Sequence, residues 1–328
     1  MQAWYGKGWM ANWQFGETLY EANQGVATAG QDLMALALTT NFPEIARATA
    51  ANALPPYLDQ ATYLAVPRLL KDPSPLVRRS ALLSVAAMPP ERRWRLAGAL
   101  LSDPVLAVRI EAARVLAAVP RASLNAHEQA MRDRGIAEYV RAASTAAEHP
   151  QSHVNLGLLY ASMGEFAKAE QAYQQALRLE AAYGFAYVNL ADLYRQQHHD
   201  EKAEATLLQG RTALGDNADI EHALGLHYVR TRQMTLALDA LAKATHLRPD
   251  SARYAYVYAV ALFDNGEKPR AIRLLAEASA RSPNDNEILL ALVSFNKAQG
   301  RMALARSYAE KMVRNDPRIG SADMILQQ

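Results

Sequence analysis

The chain has 328 residues, half of them hydrophobic and dominated by alanine and leucine, with a formal net charge of only +2. That length and composition supply more than one core and favour helices over strands, and the balanced charge gives no global pull toward nucleic acid or a membrane surface. Cysteine is absent, which excludes disulfides, thiolate metal sites, a cysteine nucleophile and covalent c-type haem within these residues, so no cofactor is expected in the chain. No run of about 18 apolar residues marks a transmembrane helix, and residues 1–16 lack the basic-then-apolar layout of a signal peptide.

In chain order, residues 1–30 read as an aromatic N-terminal cap. Trp4, Trp9 and Trp13 crowd it together with Tyr5 and Phe15. Aromatic side chains are favoured interface anchors, so this is either a docking surface for a preceding domain or partner, or a cap buried on the first helices.

Residues 31–121 contain three related segments, NFPEIARATAANAL, DPSPLVRRSALLSV and DPVLAVRIEAARVL. Each opens on a polar turn residue (Asn41, Asp72, Asp103) and carries an arginine six positions later (Arg47, Arg78, Arg109). An aspartate before a helix that starts with proline fits helix-start chemistry. The pattern resembles the short HEAT-like repeat, in which aspartate and arginine form a ladder between neighbouring units. The first helices of these units are predicted over 31–38, 62–70 and 92–101. Residues 122–149 form a connecting segment, read as one amphipathic helix over 125–148 with Ile136, Tyr139, Val140 and Ala143 on its apolar face. It would mask the open end of the next array, and with no Gly/Ser/Pro-rich linker present, one continuous rod is expected.

From residue 150 to 317 the chain repeats every 34 residues, five times. The first unit places Leu156, Gly157, Tyr160, Gly164, Ala169, Tyr173 and Ala176 at positions that recur as Leu190, Ala191, Tyr194 and Ala203, then as Leu224, Gly225, Tyr228, Ala237 and Ala244. Small residues at the Gly157 and Ala169 positions let paired helices approach, large ones at the Tyr160 and Tyr173 positions fill gaps, and proline stops the second helix. This is the pattern of the tetratricopeptide repeat. Residues 318–328 read as a C-terminal cap or tail. The fold class expected is therefore all-α, an α-solenoid of short HEAT-like repeats followed by a tetratricopeptide superhelix.

The order of parts resembles something more specific. AWYG (3–6), DPVLAVRIEAARVLA (103–117), HVNLGLLYASMGEFAKAEQAYQQAL, YVNLADLYR (187–195) and ARYAYVYAVALFDNG (252–266) look like the carboxy-terminal half of bacterial multihaem c-type cytochromes fused to HEAT-like and tetratricopeptide repeats. In that family the AWYG stretch follows shortly after the last haem-attachment motif. The resemblance implies a periplasmic location and a multihaem cytochrome region as a partner; without it, the cytoplasm is the alternative.

In a tetratricopeptide superhelix, the first helix of each unit lines the concave groove. By register the groove residues are Asn155, Leu158, Asn189, Asp192, Arg195, His222, Leu226, Tyr256, Val260, Phe263 and Lys297. Asn155 and Asn189 occupy the same repeat position, where stacked amides can grip an extended backbone because each offers a donor and an acceptor. A lysine and asparagine clamp on a terminal carboxylate needs a lysine where this chain has Val154, Val188, His222, Tyr256 and Leu290, so that mode is not expected. Leu226, Tyr256, Val260 and Phe263 give the groove an apolar and aromatic character.

The segment 41–121 holds eleven Lys/Arg against six Asp/Glu, and a basic solenoid face can hold phosphates. Ladder positions and scattered helix surfaces account for most of them, which disfavours nucleic acid. His198 and His199 fall in a turn, and His222 and His227 are five apart on one helix, hence on different faces, so no metal site is expected. No GxGxxG, P-loop, GxSxG or HExxH is present. The reading is a non-enzymatic scaffold for a partner peptide or helix. The alternatives are the assembly module of an electron-transfer protein whose haem domain is absent from this chain, and a nucleic-acid-binding solenoid.

Overall fold

The computed structural model describes residues 15–327; Trp4, Trp9 and Trp13 lie outside them. Among the described residues there are nineteen α-helices and no strand, an all-α solenoid of antiparallel helix pairs. It divides into two compact units, Met1–Tyr139 and Val140–Gln328.

The first unit contains α1 (Phe15–Asn23), α2 (Ala29–Leu38), α3 (Glu44–Ala53), α4 (Gln60–Leu69), α5 (Pro75–Ala86), α6 (Pro90–Ala97), α7 (Leu106–Leu116) and the first part of α8 (Ala126–Ser144). Helix α4 starts at a capping box in which the Asp59 side chain accepts from the Thr62 amide while the Thr62 hydroxyl accepts from the Asp59 amide, satisfying donors a helix start leaves open. Asn125 and Glu128 make the same reciprocal pair at the start of α8. Helix α6 ends at Ala97, short of the predicted 101, because the chain tightens into a 3-10 turn from Gly98, a residue that favours the α-helix least after proline.

The DP turns explain the arginines. Asp72 accepts from the Ser74 amide and Asp103 from the Val105 amide, each at 2.9 Å, which fixes the turn and aims the other carboxylate oxygen at the preceding unit. Arg47 pairs with Asp72, both side chains buried. Arg78 makes a two-pronged pair with Asp103 at 2.7 and 2.9 Å. Arg109 finds its acceptor on α8, with Glu138 taking two bonds at 2.8 and 2.7 Å. The guanidinium forks of Arg78 and Arg109 also donate to the carbonyls of Asp72 and Asp103, so each of these two rungs is tied to backbone as well as to charge.

The second unit carries five helix pairs: α9 (Pro150–Ser162) with α10 (Phe166–Leu179), α11 (Gly184–Gln196) with α12 (Asp200–Leu214), α13 (Ala218–Arg230) with α14 (Met234–Leu247), α15 (Ala252–Asp264) with α16 (Lys268–Arg281), and α17 (Asn286–Ala298) with α18 (Met302–Asn315). The short α19 (Ala322–Gln327) closes it, with Ile325 buried. Side-chain caps recur at the period of the sequence: Asn217, Ser251 and Asp285 cap α13, α15 and α17. The turn inside each pair also recurs, with positive φ at Gly164 (77°), His198 (61°), Arg232 (62°), Gly266 (90°) and Gly300 (69°). Glycine adopts this left-handed conformation freely, whereas a side chain costs about 1–2 kcal/mol there. Packing imposes the bend on His198 and Arg232 regardless. Inside the pairs, Ala169, Ala237, Ala271 and Ala305 are fully buried, and a Cβ at Gly157 would overlap the Tyr173 ring.

Candidate functional site

Helices α11, α12, α13 and α15 line an open cavity of about 610 Å³. Five of the groove residues expected from register line it, namely Asn189, Asp192, Arg195, His222 and Leu226. Asn155 lies one repeat away on α9, where its Oδ1 accepts from Gln151 at 2.9 Å. Asn189 Nδ2 donates to the Phe185 carbonyl at 2.7 Å, so half of each amide is engaged within its own helix. Tyr256 borders a smaller hollow between α15 and α17. Val260 is half-buried. Phe263 stacks on Phe295 with centroids 3.8 Å apart, and Lys297 donates to the Leu326 carbonyl at 2.7 Å, toward the closing helix.

The residues that register alone does not supply sit at the cavity's far side. Tyr254, on α15, stacks on the His222 ring at 4.3 Å. Its hydroxyl donates to Asp219, which also accepts from Arg248 at 3.1 and 3.2 Å. Burial acts to raise the Asp219 carboxyl, but the bonds from Tyr254 and Arg248 outweigh it and hold it below the usual range. Burial together with that carboxylate pushes the Tyr254 hydroxyl up to about 12. His222 and His227, although five apart on α13, both border the same cavity. The cavity reaches both sides of the helix: His222 faces α15, while His227 Nε2 lies 3.7 Å from Glu204 on α12.

His222 is only 7% exposed and neither ring nitrogen has a partner. Burial first, and the Arg253 charge second, push its imidazole down from 6.5 to about 4. The fold thus accommodates the neutral ring. The stability this lends is whole above the unfolded value and is lost as pH falls from there toward the folded one. Urea unfolding should therefore show the wild type losing about 1–2 kcal/mol more than His222→Gln between about pH 7.5 and about pH 5. Equal losses in the two proteins would mean that the ring is solvated.

Among the described residues no cluster of three or more His, Cys, Asp or Glu is placed to hold a metal ion, and no helix is long and apolar enough to cross a membrane.

Helix pairs of this length, repeated around a lined groove, define a helical-repeat scaffold. Tetratricopeptide-repeat family models match residues 150–181, 222–286 and 261–318, and over those residues the chain consists of tetratricopeptide repeats, a protein-interaction module. The second pair falls between the matches, and there α11 and α12 keep the same offsets. A comparison with curated proteins gives no match. Similar solved structures include YrrB, described as a TPR protein with an unusual peptide-binding site, at 20% identity over 57% of this chain and 97% of that one, TM-score 0.44. MamA is similar at 18% identity over 52% and 92%, TM-score 0.44. The pilF protein of Pseudomonas aeruginosa is similar at 18% over 66% and 96%, TM-score 0.46.

Proposed function

We propose that this chain is a non-catalytic scaffold whose tetratricopeptide groove grips an extended or helical segment of a partner protein. The observation that carries the reading is that five of the register-derived groove residues, Asn189, Asp192, Arg195, His222 and Leu226, line one cavity, while Leu226 in its wall and Leu158 on α9 are apolar side chains left exposed. Each asparagine amide keeps one polar end beyond its intrahelical bond for a backbone group of the segment. Within the first unit, the Arg47, Arg78 and Arg109 pairs support the HEAT-like reading. They also take up three of the cations of this basic segment, which weakens the nucleic-acid reading. The resemblance to repeat tails of multihaem c-type cytochromes makes such a cytochrome region the partner to try first, and a periplasmic setting the one to test. A haem stain beside an immunoblot of the native protein reads that association directly.

The groove itself is tested with a random peptide library displayed against the purified chain. A shared motif should emerge, and Asn155→Ala with Asn189→Ala should weaken the selected peptides about tenfold or more, since each neutral hydrogen bond contributes about 0.5–1.5 kcal/mol. Unchanged affinity would remove the asparagines from the site, and failure to select any motif would remove the groove.

A further inference from the structure

Most of the charge around the cavity is already matched. Arg195 pairs with Asp192 at 2.6 Å, Arg230 pairs with Asp200 at 2.7 Å, and Asp219 is held by Arg248 and Tyr254. What is left over is one-sided. Arg253, at the exposed start of α15, lines the cavity and has no ion pair or hydrogen bond among the described residues. Beside it lies His222, more than nine-tenths buried and with both ring nitrogens unsatisfied. A buried polar group without a partner costs roughly 1–3 kcal/mol, and native structures keep such groups mainly where something else completes them. Water would bring no charge to Arg253. The cavity has room for a side chain, because a single water needs only about 30 Å³, and its walls at Ala191, Leu207 and Ala223 suit an aliphatic stem.

We propose that this cavity receives a carboxylate of the bound partner, paired with the Arg253 guanidinium and accepting from the His222 ring, so that the groove selects an acidic residue at one fixed place. The inference rests on the peptide-groove reading and adds to it the chemistry of one subsite. The free imidazole is held near about 4 by burial and by Arg253, so at neutral pH it enters as a neutral donor. An incoming carboxylate offsets both influences, as an anion beside a histidine favours its protonated form. Charge-assisted bonds of this kind are about twice as strong as neutral ones.

The test is selection from peptide arrays made in two forms, with free and with amidated C-termini, on the wild-type chain and on Arg253→Gln. Arg253 is exposed, so the variant keeps the fold. The wild type should select Asp or Glu at one position, and the variant should lose that preference while retaining the rest of the motif. The acid-to-amide peptide and the Arg253→Gln protein should each lose about tenfold in affinity, with little further loss when combined. Acid selected in both forms assigns a side-chain carboxylate, and acid selected only at a free terminus assigns the terminal one. A motif without a fixed acid, or an acid preference that survives Arg253→Gln, overturns the subsite and leaves the groove standing. If no motif emerges, the groove fails and the subsite is decided by NMR of the His222 ring. A response to N-acetylglutamic acid amide but not to the glutamine analogue supports it, and no difference between the two overturns it.

Discussion

Asp72→Ala is expected to destabilise the first unit by about 3–5 kcal/mol, the cost of leaving one member of a buried ion pair without the other. The Arg47 and Asp72 side chains are 3% and 7% exposed, and the guanidinium also donates to the Ala37 carbonyl. With Asp72 truncated, the Arg47 charge stays in a low-dielectric setting with only that backbone acceptor, and the Ser74 amide loses its turn bond as well. Converting Arg47 to methionine in the same chain should recover much of the loss, because the desolvated charge then disappears. Arg121→Ala, which breaks a pair with both side chains about half exposed, should cost about 1 kcal/mol or less. The measurement is urea unfolding followed by tryptophan fluorescence. Trp94, the tryptophan among the described residues, stands on α6 of the first unit, so its signal reports that unit. A loss under about 1 kcal/mol for Asp72→Ala would show that water reaches the pair.

The second large effect concerns Tyr173, whose side chain is 1% exposed and belongs to a cluster with Ala186, Tyr187 and Leu190 of the following repeat. Tyr173→Ala should cost about 3–5 kcal/mol, combining lost transfer energy with the cavity left behind. Gly157 forms the floor on which the ring rests. Helix propensity alone would make Gly157→Ala favourable by about 1 kcal/mol. Because the new Cβ would overlap the buried ring, the net effect should instead be a loss of about 1–3 kcal/mol. The same glycine change made beside Tyr173→Leu should cost less than it does alone, since the smaller side chain leaves room for the methyl. Amide hydrogen exchange in α9 and α10 reads these effects locally. If Gly157→Ala slows exchange, the close approach of the two helices is looser than the geometry indicates.

The repeat architecture was legible because each pair of helices touches only its neighbours, so one local pattern had to recur at every step. Gly164, Gly266 and Gly300 marked three of the turns openly. His198 and Arg232 take the same left-handed bend, and only their position in the count points to it. In the first unit the arginines and two of their aspartates could be read from the DP turns. The third acceptor, Glu138, could not, since it stands on a helix and not in a turn. Register located the residues that face the groove but not its depth. Asp219, Arg253 and Tyr254 reach the cavity from helix starts and His227 from the last turn of α13, and a one-dimensional period does not report which side chains meet across repeats.

The five left-handed turns fall 34 residues apart without exception, at Gly164, His198, Arg232, Gly266 and Gly300. An array built on such a count tolerates copying and resists slippage. A whole unit duplicated or excised returns every later helix to its old orientation. A one-residue insertion inside a helix would rotate the groove positions beyond it out of line, by about 100° on a 3.6-residue turn. What distinguishes one stretch of the groove from another then lies in the few side chains where successive units disagree, and His222, where the preceding two units carry valine, is one of these.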